Sequence, residues 1–187
     1  MNTTSRRTPA GIALVLAAAL LTAAAGVSAA PVPMQRYQDP EKAFSIDYPK
    51  GWTAARLANG STVFYLDDPT EGTVFLILPN VELSGVHTAA DLWRDFTADL
   101  RRRAPDWTQT SLKEASGEGG QRSIEARYTW TNARKVKMTG WLFLSTVPAP
   151  SQDRTSAGMV SYQATSAQFA SWETVFRRML ASLSLGK

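Results

Sequence analysis

Few residues of this chain belong to the types that do chemistry, and their spacing limits what each can do. His87 is the single histidine, in the stretch Ser84-Gly85-Val86-His87. A general base or a metal ligand needs partner groups, and none lies at ligand spacing, so His87 is expected on a solvent-facing loop. Asp67, Asp68 and Glu71 form the densest acidic cluster. Hard oxygen ligands of this kind on a loop suit calcium or manganese. A calcium loop, however, alternates its acidic positions and closes with a glutamate at the twelfth, which this cluster does not do. A hydrated turn is the expectation.

Serines are common, but no G-x-S-x-G elbow occurs and there is no second histidine to serve one. Gly117-Glu118-Gly119-Gly120 lacks the third glycine and the following helix of a dinucleotide loop, and reads as a hairpin turn. The chain has no cysteine, which excludes disulfides, thiolate metal sites, a thiol nucleophile and a lipid-attachment cysteine. We therefore assign no catalytic residue, no metal ligand and no cofactor, and read the chain as a non-enzyme.

Three basic clusters remain: Arg101-Arg102-Arg103, the hairpin group Arg134, Lys135 and Lys137, and Arg177-Arg178. Brought together, they could make one docking face for an acidic partner or an anionic headgroup surface. The alternative is ordinary charge at helix ends and hairpin turns. Arg101, Arg102, Arg103, Arg134, Lys135 and Lys137 are the candidate docking residues.

The elements that must position these groups begin after an export signal. Arg6 and Arg7 precede an uncharged run over 11–25, and Val27-Ser28-Ala29 offers small residues at the positions that a signal peptidase reads. Residues 1–29 are thus expected to be a signal peptide. Residues 11–30 also supply 20 uncharged positions, enough to cross a bilayer if uncleaved. That anchor would be the only membrane contact. Without Arg6 and Arg7, 18 basic residues stand against 16 acidic ones, a balance too mild for a nucleic-acid partner.

With 187 residues, 44% hydrophobic and 19% charged, the remainder is long and apolar enough for one packed domain. Residues 30–40 read as a flexible, proline-bearing lead-in, and 41–187 as the domain. Residues 44–48 alternate Phe44, Ile46 and Tyr48 with Ser45 and Asp47, a half-buried strand that Pro49-Lys50-Gly51 ends. Strands follow over 53–57 and 62–66, turned at Asn59-Gly60. A third over 73–78 is apolar without alternation, which requires cover on both faces, and Val81-Glu82-Leu83 could extend it past Pro79.

Thr88, with Asp91 three residues on, opens a helix whose apolar face is Ala89, Leu92, Trp93, Phe96 and Leu100. Strands are predicted over 107–116, 122–131, 136–147 and 158–164. A last helix is predicted from near Thr165, with Gln168 placed for a capping box and Phe169, Trp172, Phe176 and Met179 on its apolar face. The six tryptophans fall mainly on apolar faces and read as core. The expected architecture is α+β: a single antiparallel sheet flanked by helices, an α/β/α sandwich.

The opening F-S-I-D-Y-P-K-G-W of residues 44–52 resembles the "gFs-i-yP-gW" start of the PsbP-like superfamily. The Asp67-Asp68-Pro69 loop after Phe64-Tyr65-Leu66 is similar as well, as is the final strand leading into a helix over 169–183. The resemblance covers about residues 37–184. It implies a central antiparallel sheet with flanking helices, in a superfamily that includes the PsbP subunit of photosystem II, small exported bacterial proteins and a Ran-binding nuclear import factor. Such proteins mostly bind or stabilise other proteins, and the matched motif contains no catalytic position. The leader, this resemblance and the missing catalytic chemistry together give the expectation of an exported, periplasmic or secreted bacterial protein that binds an envelope partner as an assembly or stabilising factor. A small-ligand or metal-ion carrier using the sheet-helix cleft or the 67–71 loop is the alternative.

The leader assignment has a direct test. Intact-mass analysis of the exported protein is expected to find a chain beginning at Ala30, whereas a full-length chain in the membrane fraction would establish the anchor.

Overall fold

The alternation over 44–49 does form a strand, with Phe44 and Ile46 fully buried, but it lies outside the main sheet. In a computed structural model, which describes residues 32–68, 72–149 and 153–186, this strand is β2 (Phe44–Pro49). It is flanked by β1 (Met34–Gln38) and by β10 (Ser184–Leu185) in a small three-stranded antiparallel sheet. The expected leader lies outside the described residues.

The remaining strands are β3 (Thr53–Arg56), β4 (Thr62–Leu66), β5 (Thr73–Ser84), β6 (Thr108–Ser116), β7 (Arg122–Thr131), β8 (Lys137–Pro148) and β9 (Arg154–Thr165). They make one seven-stranded antiparallel sheet in the order β3-β4-β5-β9-β8-β7-β6. Helix α1 (Ala89–Arg103) follows β5, and α2 (Phe169–Ser182) follows β9.

Two features depart from the expectation. A single sheet is replaced by two, because the turn after β2 does not close a hairpin. Gly51 takes φ +88° there and sends the chain to Trp52, which docks 5.3 Å from Trp172 of α2 and 6.2 Å from Phe176. Met34–Gln38, placed in the flexible lead-in, is instead a strand. Tyr37 holds it, 5.7 Å from Phe44 and 5.2 Å from Phe64, although the sequence Met-Gln-Arg-Tyr-Gln shows no alternation.

Strand β8 shows how the layers are divided. Trp141 and Phe143 point to the side of α2, whereas Leu142 and Leu144 point to the side of α1, as the two-residue period requires. One core therefore gathers Phe44, Phe64, Phe75, Tyr162, Phe176 and Met179 between the main sheet, α2 and the small sheet. The other gathers Trp93, Trp107, Ile124, Tyr128 and Leu142 beneath α1. Helices on opposite faces of the sheet agree with the sandwich, but α2 shares its layer with the small sheet.

Local signals account for most boundaries. Thr88 and Asp91 form the predicted capping box, Asp91 N–H donating to Thr88 Oγ1 at 3.1 Å and Thr88 N–H to Asp91 Oδ2 at 3.0 Å. The second predicted box does not form. Thr165 is held in the β8–β9 ladder opposite Met138, so α2 starts only at Phe169, and the Gln168 side chain caps nothing. Strand β5 does run past Pro79, with a register shift between Leu78 and Val81. That bulge re-phases the strand, so that Val81 and Leu83 join Leu78 beneath α1 while Glu82 turns out to Arg154 at 2.9 Å. Strand β6 is the edge of the sheet beyond β7. All nine of its residues are exposed, and its own register shifts between Gln109 and Ser111.

Gly140 faces Tyr128 across the β7–β8 pair, and a β-carbon there would lie 2.6 Å from the Tyr128 ring. The ring is wedged among Trp93, Phe96, Trp107 and Trp130, all within 6.2 Å, so it has nowhere to retreat. Gly140→Ala is therefore expected to cost about 1–3 kcal/mol by overpacking. Chemical denaturation reads this directly, and unchanged stability would contradict the packing described.

Candidate docking surface

Helix α1 ends in three arginines that fill two roles. Arg101 lies with its guanidinium 5.0 Å from the centroid of the Trp107 ring. Arg102 donates to Asp99 at 2.8 Å, and Arg103 pairs with the same carboxylate. Cations in the last turn complement the helix dipole, and Arg102 and Arg103 remain about 70% exposed. The chain then closes the helix with Trp107 N–H on the Ala104 carbonyl at 2.9 Å.

Asp106, three residues beyond Arg103, ties this end to the β7–β8 hairpin. Its carboxylate accepts the Thr131 N–H at 3.1 Å and the Thr131 hydroxyl at 2.6 Å, and Lys137 Nζ lies 4.0 Å away. The hairpin tip is tied by Asn132, whose side chain accepts from Val136 N–H at 2.9 Å. Lys135 takes φ +62° to make the turn. Arg134 reaches across to the β4–β5 loop and donates to Asp68 at 2.7 Å. Val136 stands 39% exposed beside these cations.

Two of the three basic clusters thus meet at one end of the molecule. Arg101, Arg102, Arg103, Arg134, Lys135 and Lys137 share this end with Asp99, Asp106 and Asp68, the three carboxylates that pair with them among the described residues. The third cluster does not join them. Arg177 pairs with Glu173 at 2.7 Å and Arg178 donates to the Val32 carbonyl at 3.1 Å, both on α2 across the sheet. Glu173 also receives Arg127 of β7, which fastens α2 to the sheet.

The other singled-out residues are occupied locally. His87 is half-buried, not fully solvent-facing: its N–H donates to Thr155 Oγ1 at 2.8 Å, and its Nε2 lies 2.8 Å from the Ser84 carbonyl. Asp67 takes φ +68° in an exposed turn, and Glu71 lies outside the described residues. Among the described residues no three histidine or acidic side chains converge as metal ligands. Trp52, Trp93, Trp107 and Trp141 are buried and Trp130 and Trp172 partly so, as expected of core residues.

One feature is only faintly marked in the sequence. Beside α1, Leu78, Val81, Leu83, Leu92, Phe96 and Met159 help to line an apolar pocket of about 220 Å³. All six are partly exposed. The signal was the apolar pair Val81 and Leu83 beyond Pro79, but only the bulge brings them to the face of Leu78.

The two hydrogen bonds from Thr131, its hydroxyl first, hold the Asp106 carboxyl below its ordinary value of 3.8. A depressed carboxyl stabilises the fold fully above 3.8 and loses that contribution as pH falls through the lowered folded value. Asp106→Asn is therefore expected to destabilise the chain at neutral pH. The gap from the unaltered protein should close as the solution is acidified below 3.8 in denaturation measurements. A gap independent of pH would remove Asp106 as the ionised clasp of this end.

No protein-family profile matches the chain, and no curated protein matches it in sequence. Solved structures do match. Cyanobacterial PsbP (CyanoP) from Synechocystis sp. PCC 6803 superposes with a TM-score of 0.53 at 14% identity, covering 88% of this chain and 98% of its own. LpqN of Mycobacterium tuberculosis, described as involved in cell envelope biogenesis, has a TM-score of 0.53 at 12% identity, covering 83% of this chain and 92% of its own. The antiparallel sheet with a helix on each face, expected from the order of elements and implied again by the opening motif, is common ground with these structures: the chain has a PsbP-like fold.

Proposed function

We propose that this is an exported, non-catalytic protein of the cell envelope that binds another envelope protein and assists its assembly or stability. The observation that carries the reading is the basic end. Segments more than 30 residues apart in sequence bring six cations toward one end, and among the described residues Asp99, Asp106 and Asp68 are the carboxylates seen to pair with them. Such a surplus draws an acidic partner and sets its orientation. The export expectation rests on the leader composition. The envelope role draws on the fold shared with LpqN, by analogy of fold alone.

Against chemistry, the residues best suited to it are engaged in structure. The only histidine is bonded within its own loop, and Glu173 is spent on Arg127 and Arg177.

In-cell crosslinking of a tagged chain, with mass spectrometry of what is captured, tests the proposal. One reproducible envelope partner is expected. Its yield should fall at least tenfold when Arg101, Arg102 and Arg103, or Arg134, Lys135 and Lys137, are reversed to glutamate. A partner retained through both reversals would remove the basic end from the interface, and capture of nothing would remove the binding role.

A further inference from the structure

The pocket beside α1 and the basic end lie along one line of the same helix. Leu92, Phe96, Asp99 and Arg103 are spaced by four, three and four residues, which places them in a single row along α1. The row starts at the pocket wall and ends in the guanidinium cluster. From Phe96 to Arg103 is seven residues, about 10 Å at the rise of a helix.

The two ends of this row ask for different chemistry. The pocket is lined almost wholly by hydrocarbon, so a polar group entering it would lose its hydrogen bonds to water and regain none. At about 220 Å³ it exceeds the roughly 150 Å³ cavity that accepts benzene and falls short of the roughly 300 Å³ at which pockets for whole drug-sized ligands begin. One large apolar side chain fits that interval. At the other end, Arg102 and Arg103 share the single carboxylate of Asp99, which leaves one positive charge over at that pair.

We infer that the partner docks through a segment carrying one large apolar anchor side chain and, about three residues away along an extended chain, acidic side chains. The anchor enters the pocket beside α1 and the acids meet Arg102 and Arg103. At about 3.3 Å per extended residue, three residues span the 10 Å between the two ends. The inference rests on the docking reading above and specifies its partner. A buried anchor supplies most of the binding energy, and the charges fix the register and the direction of the segment.

Synthetic peptides test this on the purified, unaltered protein. The probes are eight-residue peptides with one phenylalanine and a pair of glutamates centred three residues away, made in both chain directions in a glycine-serine background. Controls replace the phenylalanine with serine or the glutamates with lysine. Binding is read by fluorescence polarisation, and by shifts of the Leu92, Leu83 and Met159 methyl resonances.

One chain direction is expected to bind at least tenfold more tightly than either control and to move those methyl signals. Ala157→Leu, which extends a side chain from the pocket wall, should abolish the shifts. Arg102→Glu with Arg103→Glu, at exposed positions, should weaken binding at least tenfold. Equal binding by the serine or lysine control would overturn the inference, as would no binding in either direction. Sodium decanoate matching the peptide would also overturn it, by reassigning the pocket to a free acyl chain. None of these failures touches the in-cell capture, whose dependence on the basic end tests the docking reading separately.

Discussion

Strands β5 and β8, on either side of β9 at the centre of the main sheet, are apolar on both faces, and that condition sets the rest of the architecture. A sheet of this kind must be covered twice, since each buried large side chain contributes about 1.5–3 kcal/mol only if water is removed from it. One cover is α1. The other is composite: α2 lies over β9 while the small sheet of β1, β2 and β10 covers the β4–β5 side. Tyr162 stands where these parts meet, 4.3 Å from Phe176 and 4.9 Å from Trp141 in stacked geometry. Burial raises its phenol well above the ordinary tyrosine value.

Most of this was legible in the chain because most of its signals are local. Apolar periodicity found both helices, and the unbroken run of Val74, Phe75, Leu76, Ile77 and Leu78 announced a strand covered on both sides. Asn59-Gly60 and the glycines at 117–120 marked real hairpins. What escaped is what depends on distant partners. Met34–Gln38 is a strand because of Tyr37 against Phe64, and nothing in its five residues says so. The Gln168 side chain matched a capping pattern, but the pull of the β8–β9 ladder on Thr165 was stronger than the helix cap. Whether β2 joins the main sheet was likewise decided by where Trp52 finds its pocket.

The surface was legible in the same uneven way. The basic residues could be named from sequence, but their meeting could not, because it runs through Asp106 and Thr131, two residues with no motif to mark them. The same contacts explain why the charge surplus is moderate. Each cluster brings its own counter-ion, so the end is ordered as well as positive, and ordered charges lose less entropy on binding than free ones.

The pairing of β2 with Ser184–Leu185 has a consequence for how the chain comes into being. The second edge of β2 is closed by residues nearly 140 positions later, and Gly186 sits so tightly on the Lys42 carbonyl that no side chain could stand there. A ribosome delivers the N-terminal strands long before this closure exists. Until then β1 and β2 have one another but no second edge, and the core they share with α2 stays open. Contacts this remote in sequence are slow to form, because a long loop must be closed before they can be made. The small sheet is thereby begun by the first strands of the domain to be synthesised and closed by its last residues.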